Sequence, residues 1–204
     1  MATSPVKRGF GLRRCGAVAL AAVLLACGSA HPAPAKPMTA IFIVARSGLS
    51  DPNFANSVVL VMNDLGPAPV GVILNRPTPI PVSRLFPQIK RLAAVPDRVY
   101  FGGPVDFSSV WFLFRALTEP RHAIEVCPGV FLSADTRLLR RLLRRDPPMD
   151  GLRIFVGHAG WAPGQLEFEI EAGAWRLERV DPAALFNDGR AYPWPAPRTP
   201  KRGV

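Results

Sequence analysis

GHAGWAPGQLEFEIEAGAW, residues 157–175, decides how this chain is read, because it packs one of the three histidines and two of the four tryptophans into nineteen residues. A catalytic segment needs convergent titratable groups with complementary roles, whereas a folding device needs turns, caps and large apolar anchors. The run Ile154-Phe155-Val156 before it is strand-like, Pro163 suits a first helical turn, and Leu166 and Ile170 stand one turn apart. Gly173 is a suitable stop, so the spacing predicts a helix over 163–172 entered by a glycine-rich strand-to-helix turn. Trp161, Leu166, Ile170 and Trp175 become core anchors, and each indole N–H requires one acceptor. Gln165 lies early enough for its amide to serve unpaired helix N–H groups. Alternate helical residues point about 200° apart, so Glu167, Glu169 and Glu171 form no tight acid pair; Glu169 is expected to reach a neighbouring arginine. Phe168 falls off the apolar face.

Outward from this stretch the chain alternates apolar runs and turn signals. Residues 39–45, 57–62 and 70–74 are β-branched runs of buried-strand type. The turn residues of 63–69 (NDLGPAP) join the last two as a hairpin. Residues 98–101, 110–116, 129–132 and 152–156 extend the list and predict a mixed sheet. Ser133 can cap a helix over about 134–145, whose Leu138, Leu139, Leu142 and Leu143 share one face. Arg137, Arg140, Arg141, Arg144 and Arg145 fill its other faces, as a solvated basic surface or as a salt-sensitive patch for anionic lipid or nucleic acid. Asp181-Pro182 is a further helix start.

The ends have a different character. Residues 1–26 carry Lys7, Arg8, Arg13 and Arg14, then an apolar run over 17–26. Ten apolar residues fall short of the roughly 20 that cross a bilayer, so a secretory signal peptide is expected over 1–26. Leu24-Leu25-Ala26-Cys27 resembles the lipobox of bacterial lipoproteins, which makes Cys27 the expected site of lipidation; otherwise Cys27 is a small residue beside an ordinary cleavage. Residues 27–37 read as a tether, 38–190 as one domain, and 191–204 as a Pro-rich basic tail. Removing 1–26 deletes four basic and no acidic side chains, so the formal charge falls from +10 to +6. Cys127 alone then remains as a free thiol, and no intramolecular disulfide is possible. If Met38 is the start, the export segment is absent.

Three further segments carry residue patterns with chemical meaning. Asp51-Pro52-Asn53-Phe54 supplies a capping carboxylate, a first-turn proline and an aromatic anchor. Asn75-Arg76-Pro77 ends a strand, where asparagine can satisfy loop backbone and Arg76 could grip a carboxylate or phosphate. Gly102-Gly103-Pro104 lacks GxGxxG spacing and a Lys-Ser/Thr pair, and proline has no N–H to offer an anion, so a tight turn is expected. Taken in order, 47–61, 71–77, 99–105, 157–175 and DPAALF at 181–186 resemble the AlgH/YqgE family over nearly all of 39–187. The resemblance implies a compact α/β (α+β) domain whose bent mixed sheet forms a pseudo-barrel flanked by a few helices. The biochemical role of that family is uncharacterised, its name comes from a proposed link to regulation of alginate genes, and the resemblance transfers no catalytic residue. Two departures stand out: the family ordinarily lacks an export signal, and it ordinarily has tyrosine where this chain has His158.

The leading expectation is therefore a non-enzymatic binding or interaction domain, exported as a lipoprotein and held by Cys27 at a membrane facing the periplasm. Its partner is an unidentified protein or ligand, and nucleic acid is not expected for an exported product. The alternatives are a cytoplasmic transcription-related regulator and a Cys127–His158 hydrolase. His31, His122 and His158 show no metal-ligand spacing, and no nucleotide, haem or flavin signature is present, so no cofactor or metal is expected. Asp51, Asn53, Asn75, Arg76, Gly102, Gly103, His158, Gly160, Trp161, Gln165 and Glu169 are the candidate binding or family-motif residues.

Overall fold

In the computed structural model, which describes residues 40–62, 65–179, 182 and 184–186, the β-branched runs pair as antiparallel strands β1 (Ala40–Ala45), β2 (Val58–Met62) and β3 (Val70–Ile73). β2 is buried along its whole length, which explains a sequence without polar alternation. The expected signal peptide, tether and Pro-rich tail lie outside the described residues, as does Asp181.

The chain continues through β4 (Pro77–Pro81), α1 (Val82–Leu85), a 3-10 turn at Lys90–Ala94, β5 (Arg98–Phe101) and β6 (Val105–Arg115). β7 (Ile124–Cys127), β8 (Val130–Ser133), α2 (Thr136–Leu142), β9 (Leu152–Gly160), α3 (Gln165–Glu171), β10 (Trp175–Glu178) and a 3-10 turn at Ala184–Phe186 follow. The strands form one curled sheet in the order β10-β1-β2-β3-β9-β6-β8-β7, with β4 and β5 branching from β9. Every pairing is antiparallel except β5 with β9. The result is a mixed α+β domain with a curled half-barrel sheet, as the family resemblance implied.

Alternation along the strands divides the core between two sheet faces. Phe42, Leu60, Leu113 and Phe155 enter the interior of the curl. Ile43, Val59 and Ile73 face the other way, beneath Trp161, Leu166 and Trp175. Phe112, Phe114 and Ile154 likewise face outward, under Leu138, Leu139, Leu142 and Leu143 of the α2 segment.

The sheet divides at β9. Phe155 and Val156 pair in parallel with Tyr100 and Phe101 on one edge, and antiparallel with Trp111 and Val110 on the other. The chain leaving β5 must reach the opposite edge, where Val105 pairs with His158, so residues 102–104 pass across the face of β9. Gly102 and Gly103 are thus a strand crossing rather than the expected tight turn. A Cβ on Gly102 would lie 2.3 Å from the Gly157 carbonyl oxygen, and one on Gly157 would lie 2.4 Å from that of Gly103. Only a backbone without side chains can approach backbone this closely.

Other local expectations shift for identifiable reasons. α2 is capped by Asp135, whose Oδ1 accepts from the N–H groups of Arg137 and Leu138. Ser133, the expected cap, ends β8 and donates its hydroxyl to the His122 carbonyl. β9 continues through Gly160, so Gly157, His158 and Gly160 are strand residues and the turn to α3 begins only after them. α3 starts at Gln165 behind Gly164 in the left-handed region, two residues later than Pro163 suggests, and Gly173 (φ 78°) follows its end. β4, β7 and β10 carry weak periodicity, β4 because three of its five residues are proline.

Candidate functional site

Most of the candidate residues converge on the loop between β1 and β2, where they hold backbone and aromatic rings in place. The Glu169 carboxylate accepts the indole N–H of Trp175 at 2.7 Å and that of Trp161 at 3.1 Å on Oε2, and the Gln165 amide at 2.8 Å on Oε1. Its partners are these neutral donors, in place of the expected arginine. Gln165 Oε1 in turn accepts the Ala162 N–H, the service anticipated for it. Phe54 stacks on Trp161 and meets Trp175 edge-on, so the loop is anchored to the same cluster.

The loop backbone is tied down from β3. Asn75 Oδ1 accepts from Val58 N–H, and its Nδ2 donates to the Asn56 carbonyl. Arg76 donates to the carbonyls of Pro52 and Ala55 and lies over the Phe101 ring. Both bonds come from Nη2, so this nitrogen of Arg76 ties down the loop backbone. Asp51 and Asn53 are exposed, with Asp51 Oδ1 closing the turn by accepting the Asn53 N–H. Gly160 sits at the exposed end of β9 with room for a Cβ.

His158 stands apart from that cluster, opposite Val105. Its ring lies 5.7 Å from that of Trp111, and its Nδ1 is 3.5 Å from Ser109 Oγ. Ser109 donates its hydroxyl proton to the Asp106 backbone carbonyl at 2.7 Å. The Asp106 carboxylate accepts from the backbone and side chain of Ser108. Partial burial holds the His158 pKa below 6.5, and the charge of Asp106 opposes this.

The structure does not bring Cys127 and His158 together. Cys127 is buried opposite Val130, which pairs with Arg115 beside the start of β9. His158 lies six residues from Leu152, about 20 Å along the strand, and β8 and β6 lie between β7 and β9. A Cys–His catalytic pair is excluded by this separation. Among the described residues, no three His, Cys, Asp or Glu side chains gather as a metal site. No described helix is long and apolar enough to cross a membrane.

A cavity of about 360 Å³ opens where β5 and β9 run parallel. Tyr100 and Phe186 supply aromatic walls, and Arg98, Asp97 and Arg153 supply the charges. Arg153 is only 6% exposed, although it lines the cavity. Its guanidinium carbon lies 4.6 Å from the Tyr100 ring centre, and its Nη1 is 3.4 Å from the Leu74 carbonyl oxygen. Arg115 stacks over Phe186 at 4.7 Å, and its side chain covers Gly151 on the cavity wall. Sequence patterns did not single out Arg153, because a lone arginine in a strand has no motif; its only signal was a charge between the apolar Leu152 and Ile154.

Fold and site together define a small α+β domain with a curled, branched sheet and a side cavity, whose motif residues serve mainly to close the structure. The AlgH-like family profile matches residues 42–197, and the chain belongs to that family. A UPF0301 protein of Anaeromyxobacter sp. (strain Fw109-5) is 37% identical over 145 residues, covering 66% of this chain and 72% of that one. A UPF0301 protein of Streptomyces avermitilis is 36% identical over 164 residues, covering 77% and 83%. The solution structure of the AlgH protein from Pseudomonas aeruginosa aligns with a TM-score of 0.59 and 25% identity, over 74% of this chain and 83% of its own.

Proposed function

We propose that this protein is a non-catalytic ligand-binding domain that works at a bacterial membrane, held there by acylated Cys27. The cavity carries the binding part of this reading: its volume falls in the roughly 300–1,000 Å³ range of small-molecule sites, with aromatic walls and a few charged groups. The export part rests on sequence, namely the basic start, the ten-residue apolar run and Leu24-Leu25-Ala26-Cys27. Fractionation and intact mass of the protein from a bacterial host test the anchor. Cleavage before Cys27 with an added diacylglycerol, abolished in Cys27→Ser, is the expected result; an unprocessed soluble product contradicts it.

A cytoplasmic regulator is the second reading, and the exposed Arg137, Arg140, Arg141, Arg144 and Arg145 favour it if translation starts at Met38. It requires salt-sensitive binding to nucleic acid, and an absence of such binding at low salt removes it.

A further inference from the structure

We propose that the cavity takes a small planar monocarboxylate, with its charged end toward Arg98 and Arg153 and its flat body against Tyr100 and Phe186. This rests on reading the cavity as a ligand site, and names the ligand class.

Charge is the first argument. Two guanidinium groups and one carboxylate line the cavity, and Arg115 beside Phe186 and Gly151 adds a third cation near the wall. Farther out, Arg145 reaches the Arg115 carbonyl, and Arg91 reaches those of Arg144 and Arg145, so the basic character continues from this wall to the end of the α2 segment. An anion is drawn along this surface and held best where the dielectric is low.

The second argument is the kind of cation. A guanidinium offers a planar fork matched to a carboxylate. Arg98 is exposed and directs Nη1 to the Pro79 carbonyl, which fixes the side chain while leaving other N–H donors. Arg153 is buried beside the Tyr100 face, where a hydrogen bond to charge is worth more than in water.

Size and shape complete the assignment. About 360 Å³ lies near the lower end for ligand cavities, which suits one ring and a few substituents rather than a polymer segment. Tyr100 and Phe186 favour a flat partner through offset or edge-on ring contacts. Asp97 on the lining opposes a second negative charge.

Titration calorimetry of the purified full-length protein with benzoate, 4-hydroxybenzoate, benzamide, benzylamine and inorganic phosphate tests the proposal. Saturable 1:1 binding of benzoate and 4-hydroxybenzoate is expected, weakened by salt and absent for benzylamine. Arg98→Gln should weaken benzoate roughly tenfold or more without lowering the thermal midpoint. Phe186→Leu should weaken benzoate while leaving the weaker phosphate response unchanged. Because Arg153→Gln disturbs a buried contact, the exposed Arg98 carries the charge test. Benzamide binding as tightly as benzoate overturns the anion assignment but leaves a ligand cavity. Phosphate matching benzoate overturns the planar assignment. Binding by none of the five overturns both the ligand class and the cavity reading.

Discussion

The indole nitrogen of Trp175 lies 2.7 Å from Glu169 Oε2, and the same oxygen receives the Trp161 indole. Both tryptophans are buried, so Glu169→Ala leaves two donors without their acceptor and should cost about 2–4 kcal/mol. Glu169→Gln keeps an accepting oxygen and should cost about 1 kcal/mol. Denaturant unfolding followed by tryptophan fluorescence checks both; equal stability of Glu169→Ala and the parent would show that the indoles find other partners.

Gly103 and Gly157 cross backbone to backbone. A Cβ on Gly103 would sit 2.2 Å from the His158 carbonyl carbon, and Gly157 carries φ 70°. Alanine at either position should cost more than about 4 kcal/mol, or prevent folding. Gly164→Ala places its Cβ in open space at φ 77° and should cost only about 1 kcal/mol. Soluble yield and denaturation midpoints separate the two cases.

Asn75→Ala removes the acceptor of the buried Val58 N–H and the donor to Asn56. A loss of about 1–3 kcal/mol is expected. Hydrogen exchange should quicken across 51–58 while the β6–β8 ladder keeps its protection; uniform acceleration would mean that Asn75 supports the whole sheet.

His158 makes stability depend on acidity. Its folded pKa is held below 6.5 by burial, so the unfolded chain takes up the proton first as pH falls. Its contribution is therefore intact above about 6.5, declines below it, and levels off once the pH passes beneath the folded value. His158→Tyr should keep the fold and flatten this part of the pH–stability curve. A large loss of thermal stability in that variant at pH 8 would instead reveal a structural partner of the imidazole.

The long apolar runs made β1, β2 and β3 legible, since strands buried on both faces leave an unbroken hydrophobic signature. The anchors Trp161, Leu166 and Trp175 were legible for a different reason, as large apolar side chains set at helical spacing in an otherwise polar, glycine-rich stretch. The strand crossing at Gly102, Gly103 and Gly157 was not, because its cause is a contact between segments more than fifty residues apart. Glu169 was misassigned because charge pairing is the common expectation for a surface carboxylate, whereas here two indoles converge on it. The cavity was hidden: Tyr100 and Phe186 lie in the family segments 99–105 and 181–186, but nothing local joins them to Arg153, and the three meet only through the parallel pairing of β5 with β9 and the placement of the last 3-10 turn.

The indole–carboxylate cluster around Glu169 and the cavity proposed to bind ligand thus occupy different parts of the molecule, although Pro77, Tyr100 and Phe186 on the cavity wall belong to the family segments 71–77, 99–105 and 181–186. Mapping NMR chemical-shift changes on the protein during a benzoate titration tests this separation most directly. The account predicts saturable shifts concentrated at Arg98, Tyr100, Gly151 and Arg153, with the Trp161 and Trp175 indole resonances unmoved. Shifts centred on His158 and Ser109, or on the indoles around Glu169, would contradict it.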